Sequence, residues 1–428
     1  MESIVVRGGR PLNGTLRVQG SKNSALPILA ACVLTDGFCV LNNCPVLTDV
    51  GAAVKILRCL GCRVTRAGHT LTVDARDVSC DCIPFALMRE MRSSIVFLGA
   101  MLSRLGRAKL CAPGGCEIGA RPIDLHLAAL RTLGVQVTDC DGALDFRVTK
   151  RLRGAVIRLP FPSVGATENV MLAAVFADGQ TTVLNAAREP EIEDLARFLN
   201  ACGCRVHLCA GGTVVINGVR RAHGAEHTVI PDRIAALGTM AATAACGGDV
   251  TLTDVVPAHF QSVHRVFLRA GCRLDVKADT LRIRSDGRLR AVGTICTLPY
   301  PGFPTDAQAA VMAMLCTAKG TSRMTETIFE RRFNHVPQLQ RMGAHIKIKG
   351  NAAVISGVTR LHGAAVCAGD LRAGGALVAA ALAAEGVSTI TGVHHIDRGY
   401  EDPEGQLRML GADIERSGGS GNETAESE

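Results

Sequence analysis

A thiol set among glycines is the first feature with chemical consequence. Cys116 lies in the run Pro113-Gly114-Gly115-Cys116-Glu117-Ile118-Gly119-Ala120-Arg121-Pro122, which holds three glycines and two prolines. That composition predicts a mobile, order-on-demand loop rather than a core strand. Arg121 and Pro122 open a helix expected over Ile123 to Leu133, whose start can hold an anion, and nearby positive charge can tune the thiol for nucleophilic or general-acid work. At an ordinary pKa of about 8.5 the thiol stays protonated at neutral pH, so proton donation is as relevant as nucleophilicity.

Cationic side chains stand at comparable places along the chain. Lys22 and Asn23, in Gln19-Gly20-Ser21-Lys22-Asn23-Ser24, lead into an apolar helix. Free backbone N–H groups and the helix dipole attract an anion there; a solvated cap is the plain alternative. Arg92 and Arg372 each stand just before an apolar helical stretch, and Arg398 follows in His394-His395-Ile396-Asp397-Arg398-Gly399-Tyr400. A guanidinium fork suits phosphate and carboxylate oxygens, although a single arginine in such a place is commonly a surface residue and Asp397 can simply neutralise Arg398. In Phe303-Pro304-Thr305-Asp306-Ala307-Gln308, Asp306 either caps the next helix or offers a carboxylate able to take a proton from a hydroxyl. The segment Glu326 to Phe333, which includes Ile328 and Arg332, follows an expected strand and can add contacts.

The elements that position these residues recur. Leu60-Gly61-Cys62-Arg63-Val64 has counterparts centred on Gly134, Gly203, Gly271, Gly343 and Gly411, at a spacing of about 70 residues. Each glycine ends an amphipathic helix such as Val54 to Leu60, and an alternating strand such as Arg63 to Val73 follows. Every unit also has a more apolar helix: Ala25 to Leu34, Ser94 to Leu105, Thr167 to Ala177, Ile234 to Cys246, Ala307 to Ala318 and Ala376 to Ala384. Helices apolar nearly all round belong inside, with sheets outside. The fold class is α/β: a two-domain, inside-out α/β barrel of six repeated helix-strand units, three per domain. One domain takes residues 22–230 and carries the Cys116 loop. The other takes 1–21 and 231–428, with a cleft between the two and a disordered tail from about 417.

Composition narrows the function. The 428 residues are 47% hydrophobic and 3% aromatic with no Trp, which calls for an aliphatic interior and leaves little to stack on nucleic acid bases. The net charge of +8 is dispersed and favours a small anionic metabolite over nucleic acid. The longest apolar stretches fall short of the roughly 20 residues that span a bilayer, and Met1 to Arg7 is no export signal, so a cytoplasmic protein without membrane insertion is expected. The 18 cysteines then stay free, and Cys62, Cys204 and Cys272 read as small apolar strand residues. Cys59 and Cys62 have CxxC spacing but lack a partner pair, so neither a metal nor a cofactor is called for.

Taken together, Ser-Lys-Asn before the first helix, the run from Pro113 through Arg121-Pro122-Ile123-Asp124-Leu125-His126, Ser163-Val164-Gly165-Ala166-Thr167, Pro304-Thr305-Asp306 with Gln308, and His395 to Tyr400 resemble the UDP-N-acetylglucosamine 1-carboxyvinyltransferase family, the enolpyruvyl transferases of peptidoglycan synthesis. The likeness runs to about Glu415. It implies a monomer or weak homo-oligomer whose partners are two small molecules, phosphoenolpyruvate and UDP-N-acetylglucosamine, and it implies the following roles. Lys22 and Asn23 meet phosphoenolpyruvate, with Arg121, Arg372 and Arg398 around its phosphate. Cys116 donates the proton, can form a phosphothioketal and is the thiol that fosfomycin alkylates. Arg92, the run Arg121, Pro122, Ile123, Asp124 and Leu125, the turn Phe161, Pro162, Ser163 and Val164, then Asp306 and Ile328 serve the nucleotide sugar, with Asp306 as base, and Arg332 is a further substrate contact. Two departures bear on affinity rather than chemistry: Phe161 stands where some members have Lys, which leaves main-chain contacts there, and Arg331 replaces a neutral polar residue. The related transferase acting on shikimate 3-phosphate is disfavoured by the cysteine loop, and a catalytically silent nucleotide-sugar-binding paralogue by the intact Lys22, Cys116, Asp306 and Arg398.

Overall fold

A computed structural model describes residues 2–111, 123–140 and 143–418. Its interior is built on helices that have almost no solvent face. All eight residues of Gln308–Leu315 are buried, as is nearly all of Lys22–Cys32, Val164–Ala174 and Leu371–Ala383. Alanine and glycine at these positions let the axes approach closely: a Cβ on Gly99 would lie 2.3 Å from the Asn169 carbonyl oxygen, so Phe97–Leu105 and Val164–Ala174 touch backbone to backbone.

Six four-stranded sheets cover these helices, all on one plan. In the first, Phe38–Asn42 runs antiparallel to Thr70–Asp74, which forms a hairpin with Arg63–Ala67, while Glu226–Thr228 adds a parallel edge. The strand expected over Arg63 to Val73 is therefore two strands, turned at Gly68 with φ of 57°. The sheets remain separate, with no closed barrel among the described residues. Their strands are only two to six residues long and each sheet ends on a short edge.

The repeat glycines 61, 134, 203, 271, 343 and 411 all have φ between 87° and 105°, the left-handed conformation that lets the chain leave a helix and enter a hairpin. The inner helices start earlier than their apolar periodicity suggests. Three begin three to five residues upstream, at Lys22, Val164 and Leu371, and two others are entered two residues upstream through the 3-10 turns Arg92–Val96 and Thr305–Ala307. Those first turns are polar because they carry Lys22, Thr305, Asp306 and Arg372, so hydrophobic spacing passes over them.

The apolar interior falls into two pieces. One is built from Ala25 to Val229, the other from Ile4 to Val18 together with Ile234 to Ile414. Ser3–Arg7 and Leu12–Arg17 complete sheets of the second piece. The chain passes between the pieces twice, side by side: Gly20 bridges Pro231, Ser21 N–H donates to Ile230 O at 2.7 Å, and Asp232 N–H donates to Gln19 O at 2.8 Å. Cys62, Cys204 and Cys272 are all buried. No helix among the described residues is long and apolar enough to cross a membrane.

Candidate active site

The double crossing sets the first turn of Lys22–Cys32 beside that of Arg233–Cys246. Asp232 caps the latter, accepting from Ile234 N–H at 2.8 Å and Ala235 N–H at 3.0 Å, and its other oxygen accepts from Lys22 N–H at 3.2 Å. Lys22 opens its helix with its ammonium buried, and Nζ donates to Asp49 Oδ2 at 3.0 Å. Asp49 Oδ1 accepts from Arg398 Nε at 2.8 Å, so one buried carboxylate joins cations from the two ends of the chain. Burial pulls the Lys22 ammonium below its ordinary pKa, Asp49 opposes that, and the charges of Arg372 and Arg398 add to it.

Asp306 forms a second bridge. Its Oδ1 accepts from Arg332 Nη2 and its Oδ2 from Arg372 Nη2, both at 2.6 Å. Both arginines are buried, whereas the Asp306 side chain keeps 26% exposure and so faces the open side of the site. Burial alone would push the Asp306 carboxyl up; Arg372, Arg332 and then Lys22 outweigh it and hold the group well below the usual carboxylate range. Arg372 is aimed by its helix start, where the Asp370 side chain caps Arg372 N–H at 2.8 Å. Tyr400 lies close to Arg372, and its hydroxyl is wedged against Gly375, where a Cβ would come within 2.3 Å of it. Lys22, Asp306, Arg332, Arg372 and Arg398 are thus brought into one cationic cluster around two carboxylates.

A second assembly collects other candidate residues. Asn169, in the helix that begins at Val164, accepts from Gly99 N–H at 2.7 Å. Its amide nitrogen meets Ile95 O at 3.0 Å and His126 Nδ1 at 2.7 Å. One side chain therefore joins the 3-10 segment that starts at Arg92, the helix that starts at Asp124 and the turn Phe161 to Val164. Burial lowers His126 to a pKa of about 4, so its ring is neutral near pH 7. Ser163 caps its own helix, accepting from Ala166 N–H at 3.3 Å, and Phe161 is exposed beside Pro162. Asp124 is exposed, with Ile123 and Leu125 partly buried on either side. The helix Lys22–Cys32 packs on the segment Arg92–Val96 and links this assembly to the cationic cluster; Asn23 lies in its first turn, partly buried.

Ile328 belongs to the Asp306 side of the site, where its N–H donates to Glu326 Oε1 at 2.8 Å. Cys116, Arg121 and Pro122, and the tail beyond Gly418, lie outside the described residues, as does the side chain of Arg92. Reading the sequence missed Asp49 and Asn169; it finds Asp232 as the cap of its helix, as the structure has it, and reaches Glu326 and Tyr400 only as members of the runs Glu326 to Phe333 and His394 to Tyr400. Asp49 follows Thr48 as an ordinary helix-start acid, and Asn169 carries no local signal because its partners come from distant segments.

The chain is similar along almost its whole length to curated proteins. It is 48% identical over 416 residues, 97% of this chain and 100% of the relative, to UDP-N-acetylglucosamine 1-carboxyvinyltransferase 2 of Caldanaerobacter subterraneus subsp. tengcongensis. To UDP-N-acetylglucosamine 1-carboxyvinyltransferase of Finegoldia magna it is 45% identical, over 97% of this chain and 99% of the relative. Among solved structures, the enolpyruvyl transferase NikO from Streptomyces tendae matches with a TM-score of 0.88 at 26% identity, covering 97% of this chain and 98% of that one. EPSP synthase from Acinetobacter baumannii shares the fold, with a TM-score of 0.75 at 18% identity over 98% of this chain and 100% of that one. With residues 6–407 also matching its family model, the chain belongs to the EPSP synthase (3-phosphoshikimate 1-carboxyvinyltransferase) family.

Proposed function

We propose that this enzyme is a transferase that moves the enolpyruvyl group of phosphoenolpyruvate to the 3'-hydroxyl of UDP-N-acetylglucosamine and releases phosphate. The reaction is the first committed step of peptidoglycan synthesis and takes place in the cytoplasm. The observation that carries the reading is the cationic cluster around Asp49 and Asp306. Lys22, Arg372 and Arg398 supply charge for a phosphate and a carboxylate, and Asp306 is the carboxylate open to an incoming hydroxyl. Relatives at 45–48% identity bear the name of this activity.

The chemistry needs a proton at C3 of the enol phosphate, which makes C2 electrophilic. The sugar oxygen then bonds to C2 as its proton leaves to a base, and the tetrahedral adduct loses phosphate with a proton from C3. Lys22, Arg372 and Arg398 stabilise the anionic adduct. Asp306 serves as the base. While both its oxygens accept from arginines it is too weakly basic for that role. Substrate phosphate competes for the Arg372 fork, and as Arg372 turns toward it Asp306 regains basicity where the hydroxyl enters. Cys116 is the proton donor and the residue alkylated by fosfomycin. The segments joined by Asn169 hold the nucleotide part of the sugar.

The test is phosphate release and product mass with phosphoenolpyruvate and either UDP-N-acetylglucosamine or shikimate 3-phosphate. Phosphate and a carboxyvinyl sugar with the first acceptor are expected. Product with shikimate 3-phosphate alone would overturn the substrate assignment, and peptide mapping that found fosfomycin on a cysteine other than Cys116 would overturn that residue's role.

A further inference from the structure

We propose that Glu326 is the positioning residue for the base Asp306, acting through the hydroxyl of Thr305. The inference rests on the function proposed above and names a part of its machinery.

Glu326 follows the strand Thr321–Thr325 and is 3% exposed. Its carboxylate is filled from two sides. Oε1 accepts from Ile328 N–H at 2.8 Å, Phe329 N–H at 3.1 Å and the Thr297 hydroxyl at 3.0 Å, and Oε2 accepts from the Thr305 hydroxyl at 2.9 Å. Every partner is a donor, which suits an acceptor-only carboxylate. Thr297 locks the arrangement further, because its hydroxyl accepts from Thr327 N–H at 2.9 Å while it donates to Glu326.

Thr305 is the first residue of the 3-10 turn Thr305–Ala307 and Asp306 is the second. The turn has no side-chain cap of its own, so the bond from the Thr305 hydroxyl to Glu326 holds its entry from one side. Arg332 holds it from the other, donating to Thr305 O at 3.4 Å and to Asp306 Oδ1 at 2.6 Å. The same carboxylate orients the peptide of Ile328, a candidate sugar contact. Glu326 therefore sets the distance between the base and one wall of the acceptor site without touching either substrate. Displacement of a base by a fraction of an ångström costs turnover far more than affinity.

Two substitutions separate this role from simple support of the fold. In Thr305→Ala only the hydroxyl leg is lost. In Glu326→Gln the amide oxygen can keep the three Oε1 partners while its NH2 faces Thr305, which disturbs the same leg and spares the Ile328 leg. Both variants are expected to lower kcat about tenfold or more, with KM for UDP-N-acetylglucosamine within about threefold of the parent. Thr305→Ser restores kcat. Three results would each overturn the proposal: Thr305→Ala with kcat within about twofold of the parent, an equal loss in Thr305→Ser, or a rise in KM with kcat unchanged. A parent enzyme inactive on the sugar would instead sink the functional reading. Positioning is then read independently from crystal structures, which are expected to show the Asp306 carboxylate displaced from Arg332 in Thr305→Ala and in place in Thr305→Ser. An undisplaced Asp306 in Thr305→Ala overturns the proposal whatever the activity.

Discussion

At the scale of single residues, the site is organised by carboxylates that each hold two cations. Asp306 between Arg332 and Arg372 is the clearest case, and its removal has a readable signature. Asp306→Asn keeps the shape but leaves two buried guanidiniums facing a neutral amide and removes the proposed base. Turnover is expected to fall by about 10³-fold, within the span usual for loss of an acid-base group, with little change in KM for phosphoenolpyruvate. Steady-state phosphate release checks this, and a variant retaining a tenth of parental kcat would remove Asp306 from the role. His126 offers a second test, of stability. Burial lowers its pKa to about 4 from an unfolded value of 6.5, so the neutral ring stabilises the fold above pH 6.5 and that contribution is lost as pH falls toward 4. Between pH 7 and pH 4 the parent should lose about 3 kcal/mol relative to His126→Asn, measured by denaturant unfolding at each pH. A difference that stays flat across that range would mean the ring titrates normally. The comparison with the variant matters because Glu168, whose carboxyl burial pushes well up, gives the opposite slope in both proteins.

At the scale of elements, the close approach of Phe97–Leu105 to Val164–Ala174 makes Asn169 a joint between three site segments. Asn169→Ala leaves Gly99 N–H and Ile95 O buried without that partner and frees the His126 ring. A stability loss of about 3 kcal/mol is expected, together with a raised KM for the nucleotide sugar and an unchanged KM for phosphoenolpyruvate. Equal effects on both KM values would show that the joint serves the whole site. The repeat behind these elements was legible in the sequence because it is written in glycines that need positive φ and in helices with no polar face, both local properties. Lys22, Asp306, Arg372 and Arg398 were legible from the motifs that contain them. The joints were not. Asn169 reads as one polar residue in an apolar helix, Asp49 as a helix-start acid and Glu326 as the end of a strand. Each takes its meaning from a partner at least 20 residues away, such as Thr305 for Glu326 or Arg398 for Asp49.

At the scale of the molecule, the two apolar interiors meet across polar contacts. Arg233 forks onto Glu191 at 3.0 and 3.2 Å, Thr48 N–H reaches Asp397 O at 3.2 Å, His69 meets Glu401 at 2.6 Å, and Asp49 joins Lys22 to Arg398. Such a seam contributes less to coupling than a shared hydrophobic interior, so each half should unfold largely on its own account. Residue composition supplies the probe. The chain has no Trp and two Tyr, at positions 300 and 400, so tyrosine fluorescence follows only the part built around Ile234 to Ile414, while far-UV circular dichroism follows both. In urea without substrates the two signals should give transitions that do not coincide. Phosphoenolpyruvate and UDP-N-acetylglucosamine, each at about a hundredfold over Kd, stabilise only the state in which both halves are folded, by about 2.7 kcal/mol per ligand. The curves should then move to higher urea and converge. Coincident curves without substrates would mean that the polar seam already makes one cooperative unit, with the Lys22–Asp49–Arg398 bridge as the first contact to remove in asking why.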